Sequence, residues 1–101
     1  MVLPHVLAFN APAAPEAMER LCRALRTDYP SDGLFDLARS LGAPAALRDL
    51  GMPEAGIQPV VETVLADPPW NPRAMEAEPL HELLKRAWAG ERPAAPHKHW
   101  V

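Results

Sequence analysis

The chain has 101 residues and a net charge of −3, from 10 lysines and arginines against 13 aspartates and glutamates. This length is that of one domain, and the acidic balance is not typical of nucleic-acid-binding proteins, which carry basic patches. Apolar residues make up 49% and charged residues 23%, which indicates a globular chain rather than a disordered one. We therefore expect one folded domain without a nucleic-acid partner.

The single cysteine and the lack of a long apolar run limit the cellular setting. Cys22 has no second cysteine with which to form a disulfide, which is typical of a reducing compartment. No apolar run reaches the ~20 residues of a membrane span. Residues 1–9 lack the basic start and cleavage pattern of a signal peptide. These features predict a cytoplasmic protein with no membrane partner.

The first two segments differ in how clearly they can be assigned. Residues 2–9 are apolar nearly throughout and fit a strand or a buried helix equally well. Residues 15–26 have apolar side chains at helical spacing, at Met18, Leu21, Cys22 and Leu25. We expect Cys22 to be buried in the core. The opposite face carries Arg20, Arg23 and Arg26, which we expect to be solvated.

Three further apolar patterns have helical spacing. Ser31 or Asp32 is the expected cap of the next helix, and Gly42 its expected end. The apolar positions of that helix are Leu34, Phe35, Leu37, Ala38 and Leu41. Those of the later two are Ile57, Val60, Val61, Val64 and Leu65, and then Leu80, Leu83, Leu84 and Ala87.

The remaining segments complete an all-α array of about five or six short helices. A short helix is expected to begin at Pro44 and to end at Gly51. Most of the 13 prolines fall where helices start, and a proline is tolerated in a first turn. We predict a helical domain over residues 1–92 and a mobile tail over residues 93–101.

The residue types that carry chemistry do not form a recognisable site. No zinc-protease, paired-cysteine, phosphate-loop or nucleophile-elbow motif is present. His81 is expected at a solvated boundary position, and His97 and His99 supply too few ligands for a stable metal site. Trp70 and Trp88 are expected to pack in the core or at its edge. We assign no catalytic, cofactor-binding or metal-binding residue.

Three segments resemble the iron-containing alcohol dehydrogenase family, and most closely its maleylacetate reductase branch. They are residues 3–18, LPHVLAFNAPAAPEAM; residues 33–52, which include GLFDLAR, LGAP and LRDLGM; and Asn71-Pro72-Arg73. Leu83, Leu84, Ala87 and Trp88 continue the resemblance into a final helix. Order and spacing agree with the family from about residue 2 to residue 93.

The resemblance implies a larger enzyme with an N-terminal nucleotide-binding α/β domain and a helical C-terminal domain. Maleylacetate reductases convert maleylacetate to 3-oxoadipate with NADH or NADPH in bacterial degradation of aromatic compounds, and many family members hold iron or zinc. The matching segments lie after the family's nucleotide loop and metal ligands, and His5 is not one of those ligands. The resemblance therefore implies a domain truncated on its N-terminal side, with no cofactor or metal site in this chain.

Three functional hypotheses remain open. The chain could be the C-terminal part of a reductase, inactive alone and dependent on an N-terminal nucleotide-binding half. It could instead be a non-enzymatic association module that binds itself or a partner. The apolar surface for that role would be Val2, Leu3, Val6, Leu7 and Phe9. It could also be the remnant of a truncated gene.

Overall fold

The computed structural model describes residues 2–44 and 46–94. Within these ranges the chain forms five α-helices and no strand, which confirms the predicted all-α array. The helices are α1 (Leu3–Asn10), α2 (Pro15–Leu25), α3 (Pro30–Ser40), α4 (Ile57–Ala66) and α5 (Ala77–Ala89). Three short 3-10 segments connect them, at Ala11–Ala13, Leu47–Leu50 and Glu54–Gly56.

The first segment, which fitted a strand or a buried helix equally well, forms helix α1 at the centre of the structure. The backbone N–H groups of His5 and Val6 both donate to the Val2 carbonyl at 3.0 Å, which forms the first turn. Pro4 fits there because its missing N–H would have no partner in a first turn. α1 packs against both α3 and α5, so an apolar sequence on nearly every side suits it.

Helix α3 differs from its prediction in both its start and its buried face. It begins at Pro30, and neither Ser31 nor Asp32 caps it. Its buried residues are Pro30, Ser31 and Phe35, whereas Leu37 is 45% exposed and Leu41 is 77% exposed. The apolar spacing allowed two overlapping faces. The neighbours α1 and α2, which both pack against α3, select the one that carries Phe35.

The segment after α3 is shorter and tighter than the predicted helix. It is a 3-10 turn over Leu47–Leu50, so the predicted start at Pro44 is wrong, whereas the predicted end at Gly51 is confirmed. Gly51 has a φ of +92°, which favours glycine. Gly90 ends α5 with a φ of +74°, and a Cβ there would lie 2.9 Å from the Ala46 Cβ. A side chain at Gly90 would therefore both strain the turn and clash with Ala46.

The main core lies where α1, α4 and α5 meet. Its buried residues are Phe9, Ile57, Val61, Leu80, Leu83 and Leu84. A second, smaller cluster joins the start of the Ala11–Ala13 turn to α2, through Ala11, Met18 and Cys22. Cys22 is 2% exposed, which confirms its predicted burial. Burial raises the pKa of its thiol, so the side chain acts as packing rather than as a nucleophile.

The two described tryptophans behave differently. Trp88 is half-buried and donates its indole N–H to the Met52 carbonyl at 2.7 Å, as expected for a residue at the core edge. Trp70 is 89% exposed, so its predicted packing in the core or at its edge is wrong. The reason lies in the connection between α4 and α5, whose later residues are held against α1 and leave Trp70 outside.

The end of the chain is only partly described. Pro93 is buried, and residues 95–101 lie outside the described part of the structure. Of the predicted mobile tail, residues 93 and 94 are described, and the remainder, with His97 and His99 and the weak metal affinity considered for them, lies outside that part.

We expect Leu84→Ala to lower the free energy of unfolding by about 2–5 kcal/mol, because it leaves a cavity where α5 meets the main core. Leu41→Ala is the matched control, since Leu41 is 77% exposed and Leu84 is 7% exposed. The control should change stability by less than about 0.5 kcal/mol. Urea unfolding followed by circular dichroism measures both, and equal effects would contradict the assigned core.

Candidate functional site

The described residues contain no group of three or more His, Cys, Asp or Glu side chains that could hold a metal ion. The two histidines within this part occupy different surroundings. His5 is a buried residue of α1, whereas His81 on α5 is half-buried and lines an open groove. The boundary position predicted for His81 is confirmed.

The groove that contains His81 lies between α5 and the start of α4. Its volume is about 400 Å³, and it is lined by Glu54, Ala55, Ile57, Gln58, His81 and Lys85. Glu54 and Lys85, which are both exposed, bring opposite charges to it. Because the groove is open to solvent, these charges are screened and do not define a catalytic centre.

The buried His5 has the most perturbed environment in the described structure. Its side chain is 2% exposed, and its Nε2 atom has no hydrogen-bond partner among the described residues. Burial and, to a smaller extent, the nearby positive charge of Arg86 lower its pKa from 6.5 to about 4, and Glu91 partly opposes this shift. The imidazole is therefore neutral near pH 7 and is held as part of the interior.

A hydrogen-bonded cluster of Asn10, Asn71 and Arg73 joins the end of α1 to the connection between α4 and α5. We call it the asparagine–arginine clasp. Asn10 and Asn71 exchange two side-chain hydrogen bonds, at 3.0 and 2.7 Å. Asn71 also donates to the Arg73 carbonyl at 2.7 Å. Two amides that each donate and accept in this way fix the position of the connection against α1.

Arg73 strengthens the clasp through two contacts with Phe9 at the end of α1. Its Nη1 atom donates to the Phe9 carbonyl at 2.9 Å, and its guanidinium lies 4.2 Å from the centre of the Phe9 ring. The first contact satisfies a carbonyl at the end of α1, and the second is a cation–π interaction. The Asn71-Pro72-Arg73 sequence, which carries part of the family resemblance, therefore also has a structural role.

A second polar cluster holds the segment after α5 against α3. Arg92 lies 3.2 Å from an Asp32 oxygen and 2.9 Å from an Asp36 oxygen, with its guanidinium 5.1 Å from the centre of the Phe35 ring. The hydrogen bond from Arg92 lowers the pKa of Asp36. Because Arg92 and Asp36 are largely exposed, the cluster orders the segment and adds little stability.

The apolar surface predicted for association is mostly turned inward. Phe9 is part of the main core, and Val2 and Val6 pack against it. Leu7 packs against the second cluster. Leu3, at 62% exposure, is the one member of this predicted surface that lies mostly in solvent.

The described residues do not fit the metal or nucleotide that the resemblance implies for the whole enzyme. They bring together no metal-ligand set. Gly42, Gly51 and Gly90 end helical segments, and no glycine-rich loop leads from a strand into a helix as nucleotide phosphates require.

Residues 1–88 match the family model described as "Fe-containing alcohol dehydrogenase family, C-terminal". This chain belongs to the iron-containing alcohol dehydrogenase family. The maleylacetate reductase of Pseudomonas knackmussii is 48% identical over 95 residues, which make up 94% of this chain and 27% of that protein. The predicted family resemblance is confirmed.

Solved structures of similar proteins support the same fold. A crystal structure of a putative alcohol dehydrogenase from Ralstonia eutropha JMP134 matches 93% of this chain with a TM-score of 0.87 and 48% identity, over 27% of that protein. Maleylacetate reductase from Agrobacterium tumefaciens matches 91% of this chain with a TM-score of 0.84 and 38% identity, over 26% of its own length. The chain thus spans about a quarter of the length of these relatives.

The architecture is that of the helical C-terminal domain of the family. α1 through α5 lie within or directly beside the matched residues. None of the helices in the described ranges is long and apolar enough to cross a membrane.

We expect the free energy of unfolding to fall as the pH drops from 6.5 towards 4, because His5 has a pKa of about 4 in the folded state against an ordinary value of 6.5. Between these pH values the unfolded chain binds a proton that the folded chain excludes. Once the pH has fallen below both pKa values, the free energy of unfolding is lower by about 3 kcal/mol. Urea unfolding at a series of pH values, with His5→Leu for comparison, measures this contribution.

The variant should lose most of the slope between these pH values and should match the parent slope above pH 6.5, where neither protein binds the proton. Asp36 does not interfere, since its pKa lies below 3.8 and its contribution is lost only in more acidic solution. An unchanged slope in His5→Leu would show that His5 is not the group responsible.

Proposed function

We propose that this chain forms the helical C-terminal part of an NAD(P)H-dependent maleylacetate reductase and works only together with the nucleotide-binding part of such an enzyme. The observation that carries the proposal is the combination of high similarity and short coverage. Proteins named maleylacetate reductase are 43–48% identical to nearly the whole chain, yet the chain spans 26–27% of their length.

The chemistry of the proposed reaction explains why this part would be inactive alone. Conversion of maleylacetate to 3-oxoadipate adds a hydride and a proton across a carbon–carbon double bond. The described residues hold neither a nucleotide loop to bind the hydride donor nor a ligand set for iron or zinc. The hydride donor, and a metal where one is used, would be bound by the nucleotide-binding part.

The contribution of this chain would be a rigid helical body on which that part closes. The asparagine–arginine clasp and the main core both converge on α1, so contacts at α1 join it to α4, to α5 and to the connection between them. Such rigidity suits a domain that holds a substrate site to fixed dimensions. The lone buried cysteine is consistent with a cytoplasmic enzyme, which we include in the proposal.

The association-module hypothesis receives less support from the structure. Four of the five residues of its predicted surface are partly or fully buried in the structure, and only Leu3 of these five is largely exposed. One exposed leucine is normal on a protein surface and needs no partner.

The test is a chimera in which the complete chain replaces the matching C-terminal segment of the Pseudomonas knackmussii reductase. We expect the chimera to oxidise NADH in the presence of maleylacetate, because the chain matches that segment at 48% identity. The 101-residue chain alone should give no oxidation above background. Consumption of NADH is followed by its absorbance.

Two results would refute the proposal. One is maleylacetate-dependent oxidation by the chain alone. The other is a chimera that folds, as judged by a cooperative thermal transition, and has no activity. The unaltered reductase is the positive control, and the same reductase lacking its C-terminal segment is the negative control.

A further inference from the structure

Trp70 is the most exposed large apolar side chain in the described part of the structure, at 89%. Its ring offers a large apolar surface, and such rings dominate the energetics of interfaces. The other strongly exposed apolar residues are leucines, Leu41 at 77% and Leu3 at 62%. Trp70 therefore identifies the connection between α4 and α5 as the surface most in need of cover.

The connection that carries Trp70 is restricted by prolines on both sides of the tryptophan and by the clasp that follows it. Pro68 and Pro69 precede the tryptophan and Pro72 follows it, and each proline ring locks its own φ angle. The next residues belong to the asparagine–arginine clasp, whose bonds to α1 join positions more than 60 apart in sequence. A rigid aromatic side chain loses little conformational entropy on binding, which is the property of an interface anchor.

We propose that Trp70 is the anchor through which this helical body binds the nucleotide-binding part of the reductase, by inserting its indole into an apolar socket on that part. The inference rests on the proposed function, which supplies the partner. The crystal structure from Ralstonia eutropha matches this fold over 27% of its own chain, so most of that protein lies outside the match. That remainder must be met through surfaces that the helical body leaves exposed.

Tryptophan is enriched among the few residues that dominate binding energy at interfaces, where it fills a desolvated pocket. This matches an indole that is presented by a rigid connection and covered by nothing within the described chain.

The charges around Trp70 argue against a second copy of this chain as the occupant. Asp67, Glu76 and Glu78 lie on the same connection or at its junction with α5, and all three are exposed. A symmetric pairing centred on Trp70 would bring these acidic groups of two copies towards one another. A different partner, with an apolar socket and no such acidic rim, avoids this repulsion.

The first test measures burial of Trp70 directly by hydroxyl-radical footprinting with mass spectrometry. We expect oxidation of Trp70 to be about tenfold slower in the chimera described above than in the isolated chain, because a hot-spot side chain is fully desolvated. Urea-unfolded chimera gives the reference rate for an unprotected indole. Oxidation at the unfolded rate in the folded chimera would overturn the inference, whether or not the chimera is active.

Dilution of the isolated chain separates the two possible occupants. If Trp70 becomes protected in the isolated chain as its concentration rises, the occupant is a second copy and the inference is wrong. Equal oxidation at all concentrations, together with protection in the chimera, supports the nucleotide-binding part as the occupant.

The second test uses Trp70→Ala with Leu41→Ala as the matched exposed control. We expect Trp70→Ala to lower the midpoint of thermal unfolding of the chimera and to leave that of the isolated chain unchanged. A residue with only a structural role within the helices would lower both midpoints. Leu41→Ala should change neither, and an equal effect of the two variants in the chimera would overturn the inference.

Failure of the inference can be told apart from failure of the proposed function. An active chimera in which Trp70 remains reactive refutes the anchor alone. A folded, inactive chimera in which Trp70 is protected refutes the reductase assignment and retains the interface.

Discussion

The burial of α1 is the constraint on which the rest of this structure depends. Two helices, α3 and α5, pack against it, and its end carries both Phe9 of the main core and the backbone carbonyl that Arg73 binds. An eight-residue helix is too short to be stable alone, so its formation relies on these tertiary contacts. The same contacts bring the connection between α4 and α5 back to the first segment of the chain.

The polar groups that this arrangement buries have different consequences. The asparagine–arginine clasp satisfies the hydrogen-bonding atoms it uses, so it adds a defined geometry at a helix end where carbonyls would otherwise be unpaired. His5 belongs to the same helix and is buried with its Nε2 unpaired among the described residues, and this burial favours its neutral form. One site therefore positions a surface, and the other ties stability to pH.

Membership of the iron-containing alcohol dehydrogenase family places these features in a functional setting. Under the proposed function, the interest of the surface of this helical domain lies in what it presents to the remainder of an enzyme. A rigid connection with an outward tryptophan is more informative in this respect than the open groove beside His81, whose charges are solvated and oppositely signed.

The sequence by itself determined the all-α class, four of the five helices by their spacing, the burial of Cys22 and the family, because these depend on local periodicity and on contiguous motifs. Tertiary structure decided the rest. Residues 2–9 became a helix because two neighbours enclose them, and α3 buries Phe35 instead of Leu37 because of where α1 and α2 lie. The clasp joins residues 61 and 64 positions apart, and no local pattern reports such a contact. Trp70 is exposed for the same reason, since its neighbours along the chain are held by α1 while its own side chain is 89% exposed.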